Sequence, residues 1–338
     1  MERRKLAMVV LVMGLGMVLS ALFPSGGWSA PAEKVFKIGI TQIATHPALD
    51  SVREGSIEGL ADAGFIQGKN AEFDFLNPQG DMSLAKTIAD KFVSTKKDLV
   101  ITITTPSTQS VCAVAKGTGI PIVFIAVTDP VLAGIVPRWE NPCSPGLRIT
   151  GVSDFMPVDP QLQMIKAIVP EAKVLGIVCN FGDESNTKTV NEMRRLAPEF
   201  GLKVIEANVS TSADVHSAGT SLVDRADLIW LPMCNTTVSG LEALVSVCET
   251  KRLPLFAPDH DSVDRGAIGA LYYDNFVLGT LGGRISARIL QGEDPCNIAV
   301  ETYPAEALKG YYLNPKAAQR MGVTLPQAIL DKAILKVE

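Results

Sequence analysis

The sequence has no Walker-type phosphate loop, no H-E-x-x-H pair and no G-x-S-x-G elbow, and its three histidines, His46, His216 and His260, lie far apart. Those absences remove the usual signs of nucleotide-driven, zinc-dependent and serine-nucleophile chemistry. A Gly14-Leu15-Gly16 start of a dinucleotide fingerprint falls inside an N-terminal apolar segment, where it has no strand before it. Basic runs with interleaved aromatics, low-complexity tracts and short repeats are also missing, and 31 Lys and Arg against 36 Asp and Glu make the chain mildly acidic. That balance excludes nucleic acid and an anionic membrane surface as partners.

At the N-terminus a basic head, Met1 to Lys5, precedes an apolar stretch from Leu6 to Phe23 and small residues up to Ala30-Pro31-Ala32. The order predicts a secretory signal peptide over residues 1–32, cleaved after Ala32. A membrane anchor is the rival reading. Gly14, Gly16 and Ser20 dilute a run already borderline against the roughly 18 to 20 apolar residues of a span, and no Cys follows to carry a lipid. Removing Glu2 with Arg3, Arg4 and Lys5 takes the formal charge from −5 to −7. Export would bring Cys112, Cys143, Cys179, Cys234, Cys248 and Cys296 into an oxidising compartment, where the sequence leaves their pairing open.

What is present is a rhythm. Runs rich in Val, Ile and Leu alternate with helical patterns, the mark of parallel sheets covered on both faces. Strands are predicted over 37–42, 71–76, 99–104 and 122–127, with helices over 47–63 and 82–94; Gly64 is the expected stop of the first helix. The pattern then recurs: helix 160–169, strand 174–179, helix 187–200, strands 203–207 and 228–233, helix 238–249, strands 255–258 and 267–272. Roughly 300 residues exceed what one core supports, so the expectation is an α/β protein of two Rossmann-like lobes joined by a hinge. Residues 33–150 would form the first lobe, with a return helix at about 276–294, and 151–275 the second. The Pro- and Gly-rich stretch from Pro137 to Gly151 is the expected first crossing; the tail, 295–338, is assigned to neither lobe.

Seven apolar runs end in turns of hydroxyls, amides and carboxylates: Gln42 to His46, Thr104 to Gln109, Thr128 to Asp129, Asn180 to Asn186, Cys234 to Thr237, Asp259 to Asp261 and Tyr272 to Asn275. Ligands of open α/β sheets sit outside the carboxyl ends of the strands, so these turns should converge. None contains Lys or Arg, which argues against phosphate, sulfate or a polycarboxylate and for a neutral, zwitterionic or cationic solute. In the Thr104–Gln109 turn, hydroxyls meet a helix start whose N–H groups can hold a carboxylate, although simple helix capping would use the same residues. Asp274 is the expected counter-charge for an ammonium, with Asp129 and Asp154 as rivals. Cys179 and Cys234 end strands expected to be neighbours, and could be a reactive pair, a disulfide or buried packing. Asp259-His260-Asp261 is expected to be a solvated loop, and neither a metal nor a cofactor is expected.

The stretches His46-Pro47-Ala48-Leu49-Asp50 with Arg53-Glu54-Gly55, Asn77 to Asp81, Thr105 to Gln109, Val127 to Pro130, Thr150 to Asp154, Glu184 to Asn186, Asn235-Thr236, Gly266-Ala267 with Asp274 and Gly279, and Asn314 to Pro326 occur in this order. Together they resemble the periplasmic substrate-binding proteins of ABC importers that include the tryptophan and tyrosine binders. The resemblance implies a type I periplasmic-binding-protein fold holding an amino acid between its lobes, a monomer in the periplasm, and an ABC permease as partner. It also implies carboxylate contacts from Thr105, Ser107 and Thr128, faced by Asn235, Thr236 and Asp274. With the polar residues of the other turns, Gln42, His46, Gln109, Asp129, Asp154, Asn180 and Asn186, these are the candidate ligand contacts. Cys234 and Asn275 depart from the family pattern, which has Asp and Tyr there. No catalytic residue is expected. The alternatives are a ligand-sensing module for a membrane receptor and a two-Cys amino-acid racemase.

Overall fold

The computed structural model describes residues 34–303 and 310–337, so the expected signal peptide lies outside the described residues. Two sheets carry the fold. In the first, β1 (Phe36–Gln42), β2 (Ala71–Leu76), β3 (Leu99–Ile103), β4 (Ile122–Ile125) and β5 (Ile149–Ser153) run parallel in the order β2-β1-β3-β4-β5, with β11 (Glu301–Thr302) beyond β5. The second repeats the order with β6 (Val174–Cys179), β7 (Lys203–Asn208), β8 (Leu228–Trp230), β9 (Leu255–Phe256) and β10 (Gly269–Leu271), as β7-β6-β8-β9-β10. On its far edge β12 (Tyr311–Leu313) pairs antiparallel with β10, and β13 (Ala333–Lys336) pairs parallel with β12.

The strands show why they lie where they do. Every residue of β3 and β4 is buried, as continuous apolar runs covered on both faces must be, whereas the edge strands β2 and β7 keep exposed positions. Separate cores follow: one between the second sheet and its helices, and two on opposite faces of the first. Among the described residues no helix is long and apolar enough to cross a membrane.

Three features differ from the sequence reading. The segment from Pro137 to Arg148 stays on the first sheet, where Gly117 donates to the Gly146 carbonyl and Val300 to the Trp139 carbonyl, and Cys143 is disulfide-bonded to Cys296. It leads into β5, an unanticipated strand whose Gly151 is needed because a Cβ there would lie 2.0 Å from the Phe124 carbonyl oxygen. The chain therefore leaves the first sheet after Ser153. The predicted helix 238–249 is two, α7 (Asn235–Ser239) and α8 (Leu241–Lys251), broken at Gly240, where a Cβ would meet the Ser212 carbonyl oxygen at 2.7 Å. A helix that the sequence pattern hid, Val215–Leu222, is rich in small and hydroxyl residues.

Helix α1 (Pro47–Asp62) and helix α10 (Asn275–Leu290) pack backbone to backbone. A Cβ on Gly55 would meet the Phe276 carbonyl oxygen at 2.1 Å, one on Gly59 the Thr280 carbonyl oxygen at 2.4 Å, and one on Gly279 the Val52 carbonyl oxygen at 2.1 Å. Only glycine permits this approach, and it fixes where both helices begin, at His46 and Asp274. Gly279→Ala is expected to force the pair apart and to cost about 1–3 kcal/mol, measured as a lower denaturant midpoint; an unchanged midpoint would mean that the seam is slack.

Candidate functional site

In a parallel sheet of order 2-1-3-4-5 the connections change sides between the first and third strands, and a crevice opens outside their carboxyl ends. Both sheets have this order, and their carboxyl ends line one cavity. The first sheet contributes His46, Ala48 and Leu49 after β1, Thr104 after β3, Ala126 and Thr128 after β4, and Asp154 after β5. From the second come Ser185 after β6, Met233, Asn235 and Val238 after β8, Asp259 after β9 and Asn275 after β10. Each of the seven polar turns supplies at least one lining residue. The space these residues enclose is about 440 Å³, a figure that includes volume open to solvent.

Of the candidate contacts, His46, Thr128, Asp154 and Asn235 line the cavity. Thr105, Ser107 and Asn186 are buried beside it, at the starts of helix α3 (Thr105–Ala115) and helix α5 (Thr187–Leu196). Thr104 does not cap α3 with its side chain, and the hydroxyls of Thr104, Thr105 and Ser107 are buried without a protein partner. Of these three, Thr104 lines the cavity, and the first N–H groups of α3 carry no side-chain cap, so this helix start could take an anionic group. His46 Nδ1, Asp154 Oδ1, Ser185 Oγ and Asn186 Oδ1 are buried without a protein partner as well, so seven of the eight such atoms among the described residues stand at these strand ends.

The remaining candidates hold the scaffold. Gln42 bonds the Ala44 carbonyl, Asp50 and Arg53; Gln109 donates to the Ala133 carbonyl; Asn180 accepts from Gly182 N–H, with its amide 3.5 Å from the Thr236 hydroxyl. Asp129 accepts from Val131 and Leu132 N–H and pairs with Lys188. Asp274 caps α10, accepting from Phe276 and Val277 N–H at 2.9 and 3.3 Å, and is not brought to the lining. Its neighbour Asn275 is, with its amide donated to Asp261 at 2.8 Å. Asp259, expected in a solvated loop, is 1% exposed and caps the short helix His260–Asp264 through Ser262 N–H. Helix-start logic alone could have singled it out, because the side chain at the end of β9 had to find those N–H groups.

Burial sets the electrostatics. It pushes the Asp154 carboxyl up to about 6, against the pull of the Thr128 hydroxyl, and with help from neighbouring Asp261 it pushes Asp259 up to about 6. Burial also lowers His46 to about 4, although its bond to Asn235 works the other way. His46 is therefore neutral at pH 7. Its Nε2 lies 3.2 Å from Asn235 Oδ1 across the cavity; a carbonyl oxygen only accepts, so Nε2 carries the proton and Nδ1 is left as an acceptor. Two lining residues have left-handed backbone, Thr104 at φ +82° and Ala126 at φ +58°. For a β-branched residue this is an outlier, of a kind that clusters at binding sites at a cost of about 1–3 kcal/mol.

Cys179 and Cys234 are neighbours but lie behind the cavity, both fully buried. Cys234 Sγ accepts from Asn180 N–H at 3.2 Å and from the Thr237 hydroxyl at 3.3 Å, and the two thiols interact, which raises Cys179 and lowers Cys234. Cys112 and Cys248 are unpaired too.

A cleft between two parallel-sheet lobes, lined by short polar side chains and open helix ends, is the architecture of the type I periplasmic binding proteins. The chain belongs to the ABC transporter substrate binding protein family, whose model matches residues 37–337. That family consists of substrate-binding proteins that work with an ABC permease, and is not a family of enzymes. Among relatives, a tyrosine-binding protein of Clostridioides difficile is 36% identical over 271 residues, covering 80% of this chain and 77% of its own. An ABC domain from Streptococcus pneumonia in complex with L-Trp is 29% identical, covers 90% of this chain and 100% of its own, and superposes with a TM-score of 0.84. A ligand-free, open substrate-binding protein with adhesive properties from Clostridium difficile is 33% identical, covers 90% and 99%, and has a TM-score of 0.66.

The buried acids predict a pH dependence. Asp154 binds its proton more tightly in the fold than in the unfolded chain, so its contribution to stability is full below about pH 4 and is lost as pH rises through about 6, some 3 kcal/mol in all. Asp259 acts in the same sense, and His46, held neutral, in the opposite one. Asp154→Asn should then melt higher than the parent at pH 7.5 and equal to it near pH 4. An equal difference at both pH values would show that the carboxylate carries no such strain.

Proposed function

We propose that this chain is the exported binding component of an ABC importer, a monomer in the periplasm that holds one free amino acid between its lobes and performs no chemistry on it. One observation carries the reading: the cavity has an anion-seeking side and an anionic side. Thr104, Thr105, Ser107 and the start of α3 stand at the end of β3, and Asp154 at the end of β5, two strand spacings or about 10 Å away. An α-carboxylate and α-ammonium with one hydrogen bond on each side span about 8–9 Å. Asp259 adds negative charge from the second lobe, and no Lys or Arg lines the cavity.

For the side chain, Ala48, Leu49, Met233 and Val238 offer an apolar wall, and His46 Nδ1 offers an acceptor. A phenol or indole donor suits that acceptor, which supports an aromatic amino acid; the relatives named for tyrosine and complexed with L-Trp favour the same class. Closure would follow from contacts made by both lobes at once. Turning a 1:99 balance into 99:1 needs about 5.5 kcal/mol of preference for the closed form. The better superposition on the L-Trp complex than on the ligand-free, open protein, at similar identity, supports reading the present arrangement as the closed one.

Calorimetry of the secreted protein with L-tyrosine and L-tryptophan, within an amino-acid panel, tests the reading. At least one should bind, and Asp154→Asn should weaken it by about 10-fold to 150-fold through loss of a charged hydrogen bond. No heat from any amino acid would overturn the ligand class. Unchanged affinity in Asp154→Asn would remove the ammonium contact.

A further inference from the structure

Lys188 is the second residue of α5, on the second lobe, whose Val190, Met193 and Leu196 are buried in that lobe's core. Its ammonium leaves that lobe. It sits 3.0 Å from Asp129 Oδ2, 4.2 Å from the centre of the Phe155 ring and 5.6 Å from the centre of the Trp139 ring. Asp129 and Trp139 are built into the first lobe: Asp129 holds Val131 and Leu132 N–H, and the Trp139 carbonyl accepts from Val300 N–H. Phe155 lies on the chain leaving β5, its N–H donated to Ser153 Oγ. One side chain of the second lobe thus enters a slot made of a carboxylate and two aromatic faces.

The position works against local stability. A cation in the first turn of a helix opposes the helix dipole, so α5 by itself would be better off with alanine there. Lys188 is also absent from the cavity lining. Its partners across the cleft are what it has in exchange.

We propose that Lys188 is a closing latch, a positioning residue that favours the closed arrangement by lodging between Asp129, Phe155 and Trp139, and so sets how tightly the protein binds without setting which solute it chooses. The proposal rests on the reading of two lobes that close. Ion pairing and two ring contacts, partly shielded from solvent, together multiply the closed-to-open ratio about tenfold. Every solute held in the cleft gains by the same factor, because the contact is identical whatever is bound.

The test counts visits to the closed form without any solute. Cysteines placed by His46→Cys and Asn235→Cys, whose side chains touch across the cleft, are trapped with a short bismaleimide, and the trapping rate follows the closed fraction even when that fraction is small. Lys188→Ala should lower the rate about tenfold, Lys188→Arg should restore it, and the difference should shrink at high salt. Without the two cysteines, Lys188→Ala should melt no lower than the parent and should lose affinity for L-tyrosine and L-tryptophan by one common factor. An unchanged trapping rate overturns the latch, as does a lower melting temperature with an unchanged rate. Unequal losses for the two amino acids would place Lys188 on the solute and overturn it too. Failure of both amino acids to bind removes the ligand class proposed above and leaves the trapping result to decide the latch.

Discussion

The fold depends on one constraint: two parallel sheets present their carboxyl edges to each other. In such a sheet every following helix starts at the same edge, so its unpaired N–H groups and the polar side chains of the turns accumulate there. Within one lobe those groups face water. Once the edges meet, they are buried, and a buried polar atom without a partner costs about 1–3 kcal/mol. Seven such atoms stand along this seam, from both lobes. A group that bonded to both edges together would offset that cost. On the reading proposed above, such bonding would let a small solute control the movement of the lobes, because its contacts would count only in one of the two states.

Against this cost stand contacts that cross the cleft directly. His46 reaches Asn235, and Lys188 reaches Asp129, Phe155 and Trp139. The chain itself also crosses, and α10 shows how the crossing is anchored. By sequence it follows β10 of the second sheet, yet its glycines pack it against α1 on the first. Asp274 sits at that junction, capping α10, while Tyr303 accepts its backbone N–H at 3.2 Å. An acid there fixes the point where one lobe hands the chain to the other. Asp274 therefore has a structural role of its own, separate from any contact with a solute.

Much of this was legible in the residues, and the limits were physical. The two-lobed α/β class and the convergence of polar turns follow from apolar runs of strand length that end in hydroxyls, amides and acids, while the family rests on the resemblance of ordered motifs such as His46 to Asp50 and Thr105 to Gln109. Less legible was which side chain of each turn faces the cavity, since that is decided by helix starts. Asp274 is taken up by N–H groups of α10, whereas Asp154 opens no helix and keeps one oxygen unpartnered. The helix Val215–Leu222 was hidden because small residues serve close packing there, Gly219 against Leu244, and weaken the periodic signal. β5 was hidden because the Pro- and Gly-rich approach to it reads as linker.

Several disagreements between local preference and the fold lie at the cavity. Thr104 and Ala126 adopt left-handed backbone, Asp154 and Asp259 are buried acids ionised at neutral pH against their surroundings, and His46 keeps a bare acceptor in the interior. Each feature lowers stability when the protein stands alone. Elsewhere the chain settles many such conflicts, as along its glycine seam and its capped helices, although Gln79, Lys96, Asp224 and Arg252 also carry a positive φ away from the cavity; a binding role would account for the group at the cavity. An ammonium between two buried acids, with a carboxylate at the uncapped end of α3, would relieve several of these costs in one step. On that account, stability given up in the empty protein reappears as affinity for a solute whose two charges match the two sides of the cleft.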